Sequence, residues 1–188
     1  MNKIISGVLF ILFCSLLLTG FSSSSPIYKV SEGTIKFVSE ASFETVAASS
    51  KKLNGLLDTT TQEFAFSVAN NSFEGFNSLL QREHFNESYL ESEKNPRSKF
   101  TGKIIEKVNF SKQGTVTVRA KGILNIHGVE QERILKCELI IESGAIKVSS
   151  NFSVFLADHE ISIPKIVYEK ISPEIKIQVE AIMHQKTE

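Results

Sequence analysis

The sequence predicts an all-β protein: an antiparallel up-and-down β-barrel of about eight strands with a short helical insertion over roughly residues 77–92. Three observations carry this. Apolar and polar residues alternate with period two through most of the chain, the mark of strands with one buried face. Turn-forming residues separate the runs. One stretch, between Ser78 and Pro96, breaks the alternation and changes to helical spacing. Long antiparallel strands with one apolar face close most readily into a barrel, because closure removes exposed edges.

The elements follow in order. Ile27–Val30, Thr34–Val38 and Ser42–Val46 alternate, and Ser31-Glu32-Gly33 reads as a turn between the first two. Leu53–Leu57 and Gln62–Val68 form a hairpin around Asp58-Thr59-Thr60-Thr61, where Asp and Thr side chains hydrogen-bond nearby backbone. Asn54-Gly55 suits either a tight turn or a bend within a strand. Ser78 and Gln81 have capping-box spacing, and His84, Phe85, Tyr89 and Leu90 recur at helical spacing. Two short helices, roughly 77–83 and 86–92, are expected. Pro96 stops them, since the residue before proline is pushed to extended geometry.

Strand pattern returns for Lys99–Phe110, Thr115–Leu124, Ile134–Ile141 and Ala145–Leu156, with turns at Lys112-Gln113-Gly114, His127-Gly128 and Ser143-Gly144. Asp158–Ser172 is irregular and bounded by Pro164 and Pro173. Glu174–Ile182 is the last strand, with His184–Glu188 as a frayed tail. There is no repeat, linker or charge run, so the organisation is a leader at 1–24 and one domain at 25–188.

The leader reading rests on Lys3, an apolar run from Ile4 to Leu18, and the small residues Gly20 to Ser25. These form a secretory signal peptide, cleavable after Ser22, Ser24 or Ser25. The apolar run is short for a transmembrane span, so no membrane anchor is expected after cleavage. Cys14 lies inside the apolar run and is preceded by Leu12-Phe13, which excludes a lipid-attachment signal. Cys137 is then the single cysteine of the mature chain, a buried inert thiol in a strand. An exported chain with one cysteine cannot depend on an internal disulfide. The expected location is the periplasm or the medium.

With 21 basic and 21 acidic residues the formal charge is zero. That is a poor fit to a nucleic-acid binder, which normally shows a basic face, and no nucleic-acid partner is expected. The four histidines, His84, His127, His159 and His184, have no metal-ligand spacing, and no metal or cofactor is expected. No nucleophile elbow, P-loop or dinucleotide glycine pattern occurs, so no catalytic residue is assigned and the protein is read as a non-enzyme. The aromatic content is 14 Phe and three Tyr without Trp. A chain this rich in Phe either packs a large core or lines an apolar cavity.

Two segments carry a family resemblance. In the first, His84-Phe85 is followed by a short helix, Pro96, and Phe100 opening a strand; in the second, Gly-Ile-Leu-Asn-Ile-His-Gly at 122–128 precedes charged residues. Together with Asn151–Ile163 and the terminal strand they resemble the YceI-like family of exported proteins, over roughly residues 27–182. The resemblance implies a lipocalin-like barrel in the periplasm whose cavity takes a long apolar isoprenoid chain, with no metal. Two positions depart from the family pattern. Tyr28 stands where Trp is frequent. Asn95 stands before the proline where an aromatic is frequent, which removes an apolar contact beside the helix.

The expected ligand-lining residues are Phe37, Phe64, Phe66, Phe85, Phe100 and Phe110, then Val116, Val118, Leu124, Phe152 and Val154; His84, like His127, suits a structural hydrogen bond at a corner, and His84 alternatively a headgroup contact at the mouth. Arg82, Arg97 and Lys99 suit an anionic headgroup. The function expected is a carrier or sequestering protein for an isoprenoid quinone or related lipid. The alternative is a structural or stress-related envelope protein whose own side chains fill the barrel. The sequence leaves a homodimer open.

Overall fold

The computed structural model describes residues 27–186, so the leader expected at 1–24 lies outside the described residues. Nine strands form one antiparallel sheet: β1 (Ile27–Glu40), β2 (Thr45–Ser50), β3 (Asn54–Asp58), β4 (Glu63–Ala69), β5 (Arg97–Ile104), β6 (Gly114–Ile126), β7 (Val129–Glu142), β8 (Ala145–Phe155) and β9 (Glu174–Gln185). The sheet closes where β1 pairs with β9, from Tyr28↔Gln185 to Ser39↔Ile175. On its other edge β1 pairs with β3 at Ile27–Lys29 and with β2 at Ile35–Glu40. β2 and β3 are therefore two halves of one broken stave, and nine strands make an eight-stave closed barrel.

The alternation that predicts the strands also sorts their faces. In β6, Val118, Ala120 and Leu124 are buried while Thr117, Arg119, Lys121 and Ile123 are exposed. The hairpin turn to β7 is His127-Gly128, with φ of 55° and 78°. Two successive positive φ values form the two-residue turn whose twist matches the flanking strands. At the Asp58 turn, the backbone N–H groups of Thr60 and Thr61 donate to Asp58 Oδ1 at 2.7 and 3.1 Å. Those bonds, Thr61 first, hold the Asp58 carboxyl below its usual pKa.

Several boundaries differ from the sequence reading. Ser31-Glu32-Gly33 is not a turn. It lies inside β1, where a bulge between Val30 and Glu32 shifts the register. One extra residue reverses the parity of alternation, so one strand looks like two. The real turn follows Glu40. Of the two readings open for Asn54-Gly55, the strand is the one found: the Phe66 ring packs on Gly55, where a Cβ would meet Phe66 Cδ1 at 2.3 Å. β5 ends at Ile104, not Phe110, because Glu106 turns its carboxylate onto Arg119, accepting from the backbone N–H and from Nε at 2.7 Å each. The tail is not frayed up to His184, since β9 continues to Gln185 and His184 pairs with both Lys29 and Ala145.

The insertion is one helical run rather than two helices. Ser78 caps α1 (Leu79–His84), its Oγ accepting from Gln81 N–H at 3.2 Å. Gln81 reaches back one residue further than a capping box requires, accepting from Asn77 N–H at 3.1 Å. The run then widens into a π turn, Phe85–Tyr89, in which Leu90 N–H donates to Phe85 O. Buried Asn70 fastens both ends of the insertion. Its Nδ2 donates to Asn95 O at 2.6 Å, its Oδ1 accepts from Ser98 Oγ at 2.8 Å, and its N–H donates to Pro96 O at 3.0 Å. The Asn95 group held there is its backbone carbonyl; its side-chain Nδ2 turns to Leu90 O at 3.5 Å, in place of the apolar contact an aromatic would make.

Candidate ligand-binding site

The barrel is open inside. A cavity of about 600 Å³ runs down its axis, within the range of small-molecule sites. Its floor is aliphatic, with Ile104, Leu139 and Val148 on its wall. Beyond them Ile146 and Met183, paired across β8 and β9, are fully buried and shut that end. At about 30 Å³ per water-sized group, the space accommodates an apolar chain on the order of twenty heavy atoms.

Inward strand positions build the wall. Phe64 and Phe66 on β4 and Phe100 on β5 form one aromatic group, with the Phe64–Phe100 ring centroids 5.0 Å apart. Gly102 and Gly122, facing each other across β5 and β6, leave that part of the wall thin. The strands approach so closely there that a Cβ on Gly102 would meet Lys121 O at 2.1 Å. A second aromatic group roofs the cavity. Phe37 from β1 meets Phe73, Phe76 and Phe85 at 5.6, 5.8 and 5.3 Å. These rings fill the wedge beside β2, whose far edge meets the Ser49–Glu74 bridge and, at Thr45 O, the Asn77 side-chain amide at 3.0 Å.

Ten of the twelve residues expected from sequence line this cavity: Phe37, Phe64, Phe66, His84, Phe85, Phe100, Val118, Leu124, Phe152 and Val154. Phe110 and Val116 do not border it. They pack against the buried core instead, because Val116 pairs with Leu139 near the closed end and Phe110 sits in the loop after β5. Phe73 and Phe76 went unrecognised in the sequence, since they lie in an irregular segment where no periodicity announces an inward face. Cys137 also faces the cavity. Burial, its largest influence, pushes the Cys137 thiol above the ordinary pKa.

Polar groups border the cavity chiefly around its mouth. Glu44 Oε1 accepts from Gln81 Nε2 at 2.6 Å and from Asn77 Nδ2 at 3.1 Å. Ser39 Oγ accepts from Ser172 N–H at 2.9 Å. Those pairs are satisfied within the protein. The side chains of His84, Tyr89, Lys99 and Lys170 border the cavity with no hydrogen bond to another described residue. Desolvation raises the Tyr89 pKa, so its phenol stays neutral. Arg82 is diverted to Asn71 O at 3.3 Å, and Arg97 does not border the cavity. Of the three basic candidates, Lys99 alone reaches it.

His127 and His159 work as structure. His127 Nε2 lies 3.2 Å from Glu91 Oε2 and its Nδ1 lies 3.0 Å from His159 O, which joins the end of the helical insertion to the β6–β7 turn. Lys94, then His127, hold the Glu91 carboxyl below its usual pKa. His159 is fully buried, with Nδ1 donating to Val129 O at 3.2 Å. His84 makes no such corner bond. Among the described residues no three His, Cys, Asp or Glu side chains converge as they would on a metal ion.

The model of the YceI-like domain matches residues 28–183. The chain belongs to the YceI-like family. No curated protein sequence matches it. Among solved structures, the YceI-like barrel is similar to a polyisoprenoid-binding domain from Saccharophagus degradans, with a TM-score of 0.73 at 14% identity over 85% of this chain and 98% of that one. It is similar to Burkholderia cenocepacia BcnA, with a TM-score of 0.66 at 11% identity, covering 80% of this chain and 95% of that one. A Campylobacter jejuni YceI protein matches at a TM-score of 0.54 and 18% identity over 70% and 78% of the two chains. At these identities the likeness is one of fold: the YceI-like barrel, closed at eight staves and opened at one end.

Proposed function

We propose that this protein is a non-catalytic carrier or sequestering protein for a long apolar amphiphile, an isoprenoid quinone or related lipid, exported by the leader at 1–24 to the periplasm or the medium. One observation carries the reading: an apolar cavity of about 600 Å³ whose polar groups gather chiefly at its mouth. Such a site separates the two ends of its ligand. The chain is buried against Phe, Leu and Val, at about 0.8 kcal/mol per CH₂, and the headgroup stops near Tyr89, His84, Lys99 and Lys170. The polyisoprenoid-binding description of the Saccharophagus degradans domain fits the same division. The domain begins at residue 25 in this reading.

The alternative, a barrel filled by its own side chains, is disfavoured by the same open volume. Native mass spectrometry of the protein taken from its own envelope tests the proposal. Retention of a prenyl lipid, or uptake of an added isoprenoid quinone, is the expected result. An apo mass together with no uptake of quinones or lipid probes would sink it. Mass measurement of the mature N-terminus after cell fractionation tests export.

A further inference from the structure

Exposed apolar side chains gather at the cavity mouth from three separate segments. Phe43, on the β1–β2 turn, is 73% exposed, Leu79 at the start of α1 is 78% exposed, and Ile166 in the turn Lys165–Val167 is 90% exposed. Leu80 and Tyr168 stand beside them, also exposed. The segments are tied together. Phe43 N–H donates to Glu169 O at 3.0 Å, and Glu44 accepts from Asn77 and Gln81 on the helical side. Leu80, Val167 and Lys170 border the cavity itself. Other exposed apolar residues, such as Ile123 and Ile134, lie on the outer faces of strands, which is ordinary. Apolar tips collected around one opening are not ordinary, and mark a contact surface.

We propose that this rim docks on a phospholipid bilayer. Phe43, Leu79 and Ile166 enter the interfacial layer and hold the mouth against the membrane from which cargo is taken or to which it is returned. The inference rests on the lipid-carrying function proposed above. An apolar chain that leaves a bilayer through water exposes every methylene on the way; a mouth pressed to the interface removes that exposure. The charges and aromatics suit the role. Lys165 and Lys170 flank Ile166 and Tyr168, where their ammonium groups meet anionic lipid while their stems lie along apolar surface. Tyr168 has the ring-and-hydroxyl character favoured at membrane interfaces. A second copy of the chain fits less well. A stable dimer needs about 800 Å² of complementary surface per partner, and tips this exposed on three separate segments offer protrusions rather than a face.

Flotation of the mature protein with vesicles of phosphatidylethanolamine and phosphatidylglycerol tests the proposal, with phosphatidylcholine vesicles as the uncharged comparison. Wild type is expected to float, more strongly with the anionic vesicles. Phe43→Ser, Leu79→Ser and Ile166→Ser, none of which lines the cavity, should each weaken flotation several-fold, and the triple variant at least about tenfold. Circular dichroism and the uptake of added isoprenoid quinone by the purified protein, read by native mass spectrometry, should be unchanged. Wild type that carries prenyl lipid yet fails to float would overturn the docking proposal and leave the carrier reading standing. So would a triple variant that floats as wild type, or one whose only change is a dimer becoming a monomer in light scattering. Wild type that floats without ever taking up prenyl lipid would support docking and refute the carrier reading.

Discussion

The rings of Phe37 and Phe85 lie 5.3 Å apart and 12° from parallel, although one belongs to the first strand and the other to the helical insertion. This stack joins the roof to the wall. Phe85 also meets Phe73 and Phe76, at 5.5 and 5.1 Å. Phe85→Ala should therefore loosen the insertion as well as enlarge the cavity. Phe85 is only half-buried, so the loss should fall toward the low end of the range for truncating a packed aromatic, roughly 3 kcal/mol. Urea unfolding gives the stability. Stopped-flow release of a fluorescent prenyl analogue should show faster dissociation, by about tenfold, and an unchanged release rate would mean that the aromatic roof does not retain the ligand.

Filling the cavity should abolish binding while sparing the fold. Ala120 is buried on β6 and borders the open volume. Ala120→Phe places a ring where there is space, so the strain of about 1–3 kcal/mol that overpacking normally brings should be smaller here. The expected result is a near-native thermal midpoint with lipid uptake reduced at least about tenfold. Native uptake in this variant would place the ligand elsewhere.

Asn70 ties the two ends of the insertion together. It is fully buried and holds Asn95, Pro96 and Ser98. Asn70→Ala removes the partners of Asn95 O and Ser98 Oγ, both half-buried, so each should cost toward the low end of the roughly 1–3 kcal/mol of an unsatisfied group. Asn70→Asp should be nearly as damaging at neutral pH, since a carboxylate cannot donate to Asn95 O. Hydrogen exchange should show early opening of residues 85–98 in both variants, ahead of global unfolding.

Much of the fold was legible because a closed barrel repeats one rule, inward alternating with outward, along every strand. Where the rule was locally broken the reading failed for local reasons. The bulge at Ser31 reversed the parity of β1, and Glu106 turned away to Arg119 although its neighbours still alternate. The site was legible only as a set of inward positions. Val116 and Val118 belong to the same alternating face, yet Val118 borders the cavity while Val116 packs toward the closed end. Alternation tells which way a side chain points. It does not tell what it meets, because core and cavity wall share one pattern. Phe73 and Phe76 had no periodic signal at all, being placed by ring contacts with Phe37 and Phe85.

Acid should weaken the mouth through His159. Burial, its largest influence, holds the His159 pKa below the ordinary value of 6.5, so the folded state resists the proton that the unfolded state accepts. The stability this contributes is fully present above the unfolded pKa. It falls as the pH drops below about 6.5, toward the lower folded pKa, with a slope of at most about 1.4 kcal/mol per pH unit. His159→Gln keeps a donor for Val129 O but does not titrate. Urea midpoints of wild type and this variant between pH 7 and about pH 5 should diverge, with the variant showing the shallower loss. Parallel curves would mean that His159 already binds its proton in the fold.

The thiol of Cys137 reports directly on occupancy. It borders the cavity rather than the outer surface, and burial raises its pKa. The thiolate is the reactive form, so alkylation of the folded protein by iodoacetamide should be slow at neutral pH. It should keep rising with pH beyond the range where an exposed thiol, with a pKa of about 8.5, has levelled off. A bound chain would lie against β7 and exclude the reagent, so loaded protein should react at least several-fold more slowly than delipidated protein. Denaturant should erase the difference, because it exposes the thiol in both. Equal rates for loaded and delipidated protein under folding conditions would show that the lipid does not reach the depth of Cys137, and would confine it to the aromatic half of the cavity around Phe37 and Phe85.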